Sequence, residues 1–173
     1  MQYSSPIEKQ TAFEKSVIAA FKKINDTKSI NVSLSTLHTV RAEEIEVTGS
    51  KKAAVVFVPA DEITLFHADP ELINALEKQF QGCQMHIVAA RATAGKRGNK
   101  DFHKSIKYVN ECMEDDLCYP TIIQGRRTLF HAGKQSQKLV IAQDKKELFT
   151  MRANVCEQII RKVTKRCVDI IYV

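Results

Sequence analysis

The chain has no tryptophan and no Cys-x-x-Cys pair, and no apolar run longer than the eight residues of Ala53–Ala60. A membrane helix needs roughly 20 apolar residues, so no membrane partner is expected. Met1–Gln10 lacks the charged-then-apolar pattern of a secretory leader, so secretion is not expected either. The cysteines are five, an odd number: Cys83, Cys112, Cys118, Cys156 and Cys167. Without a leader they read as free thiols in a reducing compartment. Structural zinc draws on two tight ligand pairs. Cys83 with His86 and Cys112 with Cys118 do not supply them, so small buried apolar side chains are the better reading of these thiols. Enzyme signatures are missing as well. Gly95-Lys96-Arg97-Gly98 lacks the spacing and the Gly-Lys-Ser/Thr ending of a phosphate-binding loop, and no Gly-x-Gly-x-x-Gly follows a strand. The five histidines stand beside no serine, cysteine or carboxylate in a catalytic pattern, and His86 and His131 read as packed within strands. No cofactor, metal or small-molecule substrate is expected.

What is present is a globular composition: 173 residues, 44% hydrophobic and 27% charged. One domain over 1–173 is expected. It comprises a helical N-terminal segment (1–42) and a mixed core (43–173) with a basic loop at 91–101. The formal charge is +6 with a pI near 9.1. That excess is uneven. Residues 1–90 hold 9 basic and 11 acidic side chains, whereas residues 91–173 hold 17 and 9. Arg91, Lys96, Arg97, Lys100, Lys104 and Lys107 face only Asp101 within 91–110, and no acid occurs from Leu117 to Gln143, where Arg126, Arg127, Lys134 and Lys138 lie. Arg161, Lys162, Lys165 and Arg166 form a third group. A single charge run is ordinarily a solvated face, but three in one half make a field suited to phosphates. The opposing cluster Glu111, Glu114, Asp115 and Asp116 is expected to face solvent or a basic protein. Lacking tryptophan, and with its phenylalanines on apolar faces, the chain is expected to grip phosphates and RNA shape rather than splayed bases.

Periodicity outlines the elements. Ser5-Pro6-Ile7-Glu8 reads as a capped helix start, followed by Phe13, Val17, Phe21 and Ile24 on one face. Glu44–Thr48 alternates as a half-buried strand. Val55–Val58 is a continuous β-branched and aromatic run, read as a strand buried on both faces, and Gly49-Ser50 makes these two a hairpin. Leu72, Ile73, Leu76 and Phe80 mark a helix stopped at Gly82. A strand at Met85–Ala89, a helix through Phe102, Ile106, Val109, Met113 and Leu117, and strands at Arg127–His131 and Lys138–Ala142 follow. The last helix opens on Asp144 and Glu147 at capping-box spacing, and Val168–Val173 closes the chain as a strand. The fold class is therefore α+β, with a mixed sheet of about six strands and several covering helices.

Four stretches resemble a known family in order. They are Glu44–Ala53 running on to Val56–Pro59, Leu76–Phe80, Glu114–Pro120 with Ile123–Arg127, and Lys162–Lys165 before a terminal β run. Over about 34–172 the chain resembles the eukaryote-specific small (40S) ribosomal subunit protein seven family, as a divergent member whose basic loop after the strand at Met85–Ala89 is shortened. The resemblance implies a non-enzymatic constituent of the small subunit, partnered by its ribosomal RNA and by neighbouring ribosomal proteins. It implies cytoplasmic ribosomes and assembly in the nucleus and nucleolus. The expected RNA-binding set is Lys51, Lys52, Arg91, Lys96, Arg97, Lys100, Lys104, Arg126, Arg127 and Lys134. Strand alternation further implies that of Arg126 and Arg127 only one reaches RNA while the other meets a carboxylate or another subunit. Residue chemistry alone leaves two alternatives, an RNA-processing enzyme using histidines in a basic cleft and a basic protein-interaction scaffold.

Overall fold

The computed structural model describes residues 11–27, 41–47, 51–68, 70–91, 104–132 and 134–173. The expected helix start at Ser5–Glu8, the Gly49-Ser50 turn and most of the basic loop lie outside the described residues. The chain divides into two compact units, Met1–Ala92 and Thr93–Val173.

In the first unit, helix α1 (Ala12–Thr27) precedes strands β1 (Arg41–Val47) and β2 (Lys51–Pro59). Helices α2 (Ile63–Ala68) and α3 (Pro70–Gln79) then lead to β3 (Cys83–Ala90). Strands β1 and β2 pair antiparallel, with Ile45 opposite Ala53. β3 joins the other edge of β2 in parallel, with Val56 opposite Ile87, as a helical crossover requires. The central strand is the expected one: Val55, Val56 and Val58 are all buried. Val56 and Val58 meet a cluster of Val17, Phe21 and Ile24 from α1, Phe66 from α2, and Leu72 and Leu76 from α3. Gly82 has φ +80°, the left-handed stop that suits glycine beyond a helix end. Phe57, the one aromatic in the run, is only partly buried and lies beneath Arg41, whose guanidinium carbon is 4.9 Å from its ring centroid.

The second unit follows a similar order, with one α-helix in the crossover where the first has two. Helix α4 (Ile106–Cys118) precedes the hairpin β4 (Ile123–His131) and β5 (Lys134–Ile141), and α5 (Lys146–Thr164) leads to β6 (Cys167–Tyr172). β4 and β5 are antiparallel, and β6 is parallel to β5. Ser105 caps α4, its hydroxyl accepting from Tyr108 N–H at 3.1 Å. Leu139, Ile141, Phe149, Val155, Ile159, Ile160 and Val168 are buried here.

The fold is thus α+β with the expected six strands. They are divided between two mixed sheets, ordered β1-β2-β3 and β4-β5-β6, where the sequence pattern implies one. The division has a physical basis in the sheet edges. An edge strand presents unpaired N–H groups that invite further pairing. Glu14 of α1 accepts from Ala42 N–H on β1 at 3.2 Å, Glu77 of α3 from Met85 N–H on β3 at 3.2 Å, and Glu157 of α5 from Ile170 N–H on β6 at 2.7 Å. Three of the four edges therefore have one backbone N–H taken by a helix carboxylate. No such carboxylate meets the β4 backbone among the described residues.

Three smaller expectations are corrected. β4 and β5 begin four residues earlier than the apolar pattern implies, because Gln124, Arg126, Gln135 and Gln137 mask their strand character. Asp144 lies inside a single 3-10 turn, Gln143–Lys145, so it does not occupy the cap of α5; that position is Lys145, without a side-chain cap. His131 is exposed rather than packed, whereas His86 is buried as expected.

Glu14 does double duty. Thr11 and Glu14 form a capping box, with Thr11 N–H donating to Oε2 at 2.7 Å and Glu14 N–H to the Thr11 hydroxyl at 3.2 Å. The other carboxylate oxygen holds β1. Glu14→Ala is expected to cost about 1.5–3 kcal/mol, since hydrogen bonds to a charged group are removed and the Ala42 N–H is stranded. Urea midpoints check this, and a change below about 0.5 kcal/mol would show water replacing the carboxylate.

Candidate nucleic-acid interface

The clearest polar construction in the second unit is built around Arg126. Its Nε donates to Glu114 Oε2 at 3.1 Å, and its terminal nitrogen donates to Asp115 Oδ1 at 2.6 Å and to the Glu111 carbonyl at 3.1 Å. Gln137 Nε2 adds a 3.0 Å bond to Glu114 Oε2. Glu114 is fully buried (0% exposed). Burial pushes its carboxyl above the ordinary range, opposed by the Arg126 guanidinium, with the charge of Arg166 and the Gln137 bond acting in the same opposing direction. Part of the acidic cluster expected at the surface is therefore spent inside the fold. α1 sends Glu14 to the β1 backbone; at the same place in the second unit, α4 sends Glu114 to a β4 side chain.

Alternation on β4 divides the arginine pair as the sequence implies. Arg126 faces the carboxylates, while Arg127 is exposed and stands directly opposite Lys138 on β5. Like charges directly opposite each other on one sheet face are unfavourable without an anion between them. Neither Arg127 nor Lys138 forms an ion pair among the described residues, although Asp169 of β6 is the register neighbour of Lys138. Beyond Ser136, which pairs with Cys167, the hairpin continues as two strands only. It carries Phe130 opposite Gln135 and His131 opposite Lys134. Lys165 and Arg166 immediately precede β6 and so lie at this same end of the sheet. Lys165 has φ +57° and ends α5 in the left-handed region.

The other expected contacts are dispersed. Lys51 opens β2 opposite Val47. Lys52 is exposed, with Nζ 3.1 Å from Glu44 Oε1, and that bond raises its ammonium pKa. Arg91 is half-buried at the exit of β3. Lys104 is exposed, its Nζ 5.9 Å from the Tyr108 ring centroid. Lys134 starts β5. Lys96, Arg97 and Lys100 lie outside the described residues. The structure also places Lys138, Lys165, Arg166 and exposed Phe130, which the expected set does not contain, on β4 and β5 or just ahead of β6. The acid-free stretch 117–143 was the signal for Lys138, and full strand boundaries would have exposed Phe130.

The cysteines are free thiols. Cys118 and Cys156 are buried, and Cys156 Sγ donates to the Leu117 carbonyl at 3.4 Å. Burial pushes the Cys118 thiol up to about 12, which makes it an inert packing group at neutral pH. Among the described residues no group of three His, Cys, Asp or Glu side chains could hold a metal ion, and no helix is long and apolar enough to cross a membrane.

These features define a class, an α+β protein of two units, αββααβ and αββαβ, whose outward chemistry in the second is cationic. Comparison with known proteins makes that class specific. The chain belongs to the Ribosomal protein S7e family, whose model matches residues 2–172. The match runs through both units and reaches further toward the N-terminus than the four stretches read from the sequence. The chain is 27% identical over 165 residues to small ribosomal subunit protein eS7 of Drosophila melanogaster, covering 89% of this chain and 84% of the relative. It is 29% identical over 144 residues to eS7A of Saccharomyces cerevisiae, covering 78% and 76%. These relatives are ribosomal proteins, not enzymes. Among solved structures, the crystal structure of APE1850 shares the fold with a TM-score of 0.50 at 12% identity, covering 94% of this chain and 99% of that one.

Proposed function

We propose that the chain is a structural constituent of the small (40S) ribosomal subunit. It binds ribosomal RNA through its cationic segments, contacts neighbouring ribosomal proteins, and so supports subunit assembly and translation. It works in cytoplasmic ribosomes after assembly in the nucleus and nucleolus. The observation that carries this reading is the family match over 2–172. The concentration of 17 basic against 9 acidic side chains in residues 91–173 supports the RNA contact. Both units act together as one ribosomal-protein domain, a reading supported by the continuity of that match. The cationic contacts are assigned to Lys51, Lys52, Arg91, Lys96, Arg97, Lys100, Lys104, Arg127 and Lys134. Arg126 serves mainly to hold β4 on α4.

Sedimentation of the tagged full chain in cell lysate tests the assignment. It is expected to comigrate with 40S particles after a high-salt wash. A chain that stays at the top of the gradient would overturn the assignment, and release by salt with recovery on acidic proteins would favour a scaffold. On purified small-subunit RNA, the triple variant Lys96→Ala, Arg97→Ala, Lys100→Ala is expected to flatten the dependence of log affinity on log salt. Each cation that no longer neutralises a phosphate should lower the slope by roughly one unit. An unchanged slope would remove the loop from the RNA-binding set.

A further inference from the structure

We propose that the tip of the β4–β5 hairpin is a base-stacking site, in which the ring of Phe130 packs on an unpaired base of RNA while cations on the other face of the hairpin and just ahead of β6 hold the adjoining phosphates. The inference rests on the ribosomal reading above and deepens it by naming a contact that the charge pattern alone does not suggest.

Phe130 is 78% exposed and its neighbour Leu129 43% exposed. The rings of Phe21, Phe66 and Phe149, by contrast, are buried. Phe130 is presented on a firm platform: it sits in a hydrogen-bonded register opposite Gln135, at the two-stranded end of the hairpin where β6 no longer flanks β5. Its edge of the sheet is also the one whose backbone no helix carboxylate meets among the described residues.

The surroundings select the occupant. By strand alternation Phe130 shares its face with Arg126 and Gln137, whereas Arg127, His131 and Lys138 lie on the opposite face of the hairpin; Lys134 opens β5 opposite His131, and Lys165 and Arg166 lie just ahead of β6 at the same end. From Leu117 to Gln143 the chain has no acid, and the nearest carboxylate in register, Asp169, stands beside Lys138 away from the tip. An exposed ring on one face of a two-stranded tip, with cations on the other face and beside its end, fits a partner that is flat, apolar on its faces and anionic along its margin. A nucleobase on its phosphate chain has all three properties.

The test uses the full chain and in vitro transcribed small-subunit ribosomal RNA, with Phe130→Ala, Phe130→Leu and Phe130→Trp. All three are expected to keep the wild-type urea midpoint, since the side chain is exposed. Phe130→Ala is expected to weaken binding roughly five- to a hundredfold, the range set by removal of one base stack. The salt slope is expected to stay unchanged, because every phosphate-binding cation remains. Tryptophan is expected to restore affinity and leucine to fail. In subunits isolated from cells, Phe130→p-benzoylphenylalanine is expected to photocrosslink to RNA. Unchanged affinity of Phe130→Ala, rescue by leucine equal to that by tryptophan, or crosslinking to protein alone would overturn the stacking site while leaving the ribosomal reading intact. A wild-type chain that neither binds the RNA nor enters subunits would overturn both.

Discussion

Replacing Arg126 with alanine is expected to cost about 3–5 kcal/mol of stability at neutral pH, and most of that loss is expected to disappear as the pH is lowered. The cost comes from what the substitution leaves behind. Glu114 stays fully buried on α4 with its charge, and only the Gln137 amide at 3.0 Å still donates to it. A buried charge without its partner is far more costly than the pair itself is worth. Burial already holds the Glu114 carboxyl above the usual value of about 4.3, and removal of the guanidinium raises it further.

The direction of the pH dependence follows. A group whose pKa is raised by folding binds its proton more tightly in the native state. The stability this contributes is complete below the unfolded value and is lost as pH rises through the folded value. The variant should therefore gain stability as the pH falls from about 8 to about 5, over a wider window than the wild type, because in the wild type Arg126 opposes the shift. Urea titrations at the two pH values measure it. Equal deficits at both would mean that the penalty does not come from an ionised Glu114. The cycle with Glu114→Gln isolates the pair: in that background Arg126→Ala is expected to cost only about 1–2 kcal/mol, the worth of neutral hydrogen bonds.

Arg126 also shows where sequence reasoning reaches and where it stops. Alternation alone separates Arg126 from Arg127, because successive strand side chains point to opposite faces. The choice of partner depends on α4 and β4 packing together, and the spacing of Glu114 from Arg126 along the chain does not disclose that. The order of elements is legible throughout, since the 3.6- and 2-residue periods of Val17–Ile24, Glu44–Thr48 and Leu72–Leu76 are local properties. The partition of six strands into two sheets is not, because it depends on which edges Glu14, Glu77 and Glu157 meet, and all three contacts cross between elements. The similar order of the two units, αββααβ and αββαβ, carries no internal sequence repeat. The exposed position of Phe130 at the hairpin tip is not legible for another reason. Gln135 and Gln137 dilute the apolar pattern of β5, so the strands appeared too short to carry Phe130 beyond the cover of β6.

The contrast between two phenylalanines is the sharpest test of the first unit. The sequence places Phe57 in the core, within the apolar run Val55–Val58, where truncation to alanine would cost about 3–5 kcal/mol. The structure moves that expectation to Phe66. Phe66 on α2 is 1% exposed, and its ring meets Phe21 of α1 edge-on, with centroids 5.8 Å apart at 71°. Removing it empties the space between α1, α2 and the sheet, and the close-packed cluster of Val17, Leu72, Leu76 and Met85 around it can relax only in part. Phe66→Ala is therefore expected to cost about 3–5 kcal/mol. Phe57 lies opposite Arg41 near the start of β1, only partly buried, with the guanidinium over its ring. Phe57→Ala gives up part of an aromatic burial and one exposed cation–π contact, together about 1–2 kcal/mol. Denaturant titrations of the two variants should separate by roughly a factor of two or more in destabilisation. Arg41→Ala should cost less in the Phe57→Ala background than in the wild type, since the ring it covers is gone while its exposed ion pair with Glu43 remains. Equal costs at Phe57 and Phe66 would mean that the β1–β2 register, with Arg41 opposite Phe57, is misassigned and that the ring turns inward. A Phe66→Ala variant near wild type would place α2 outside the core that Phe21 and Leu76 build.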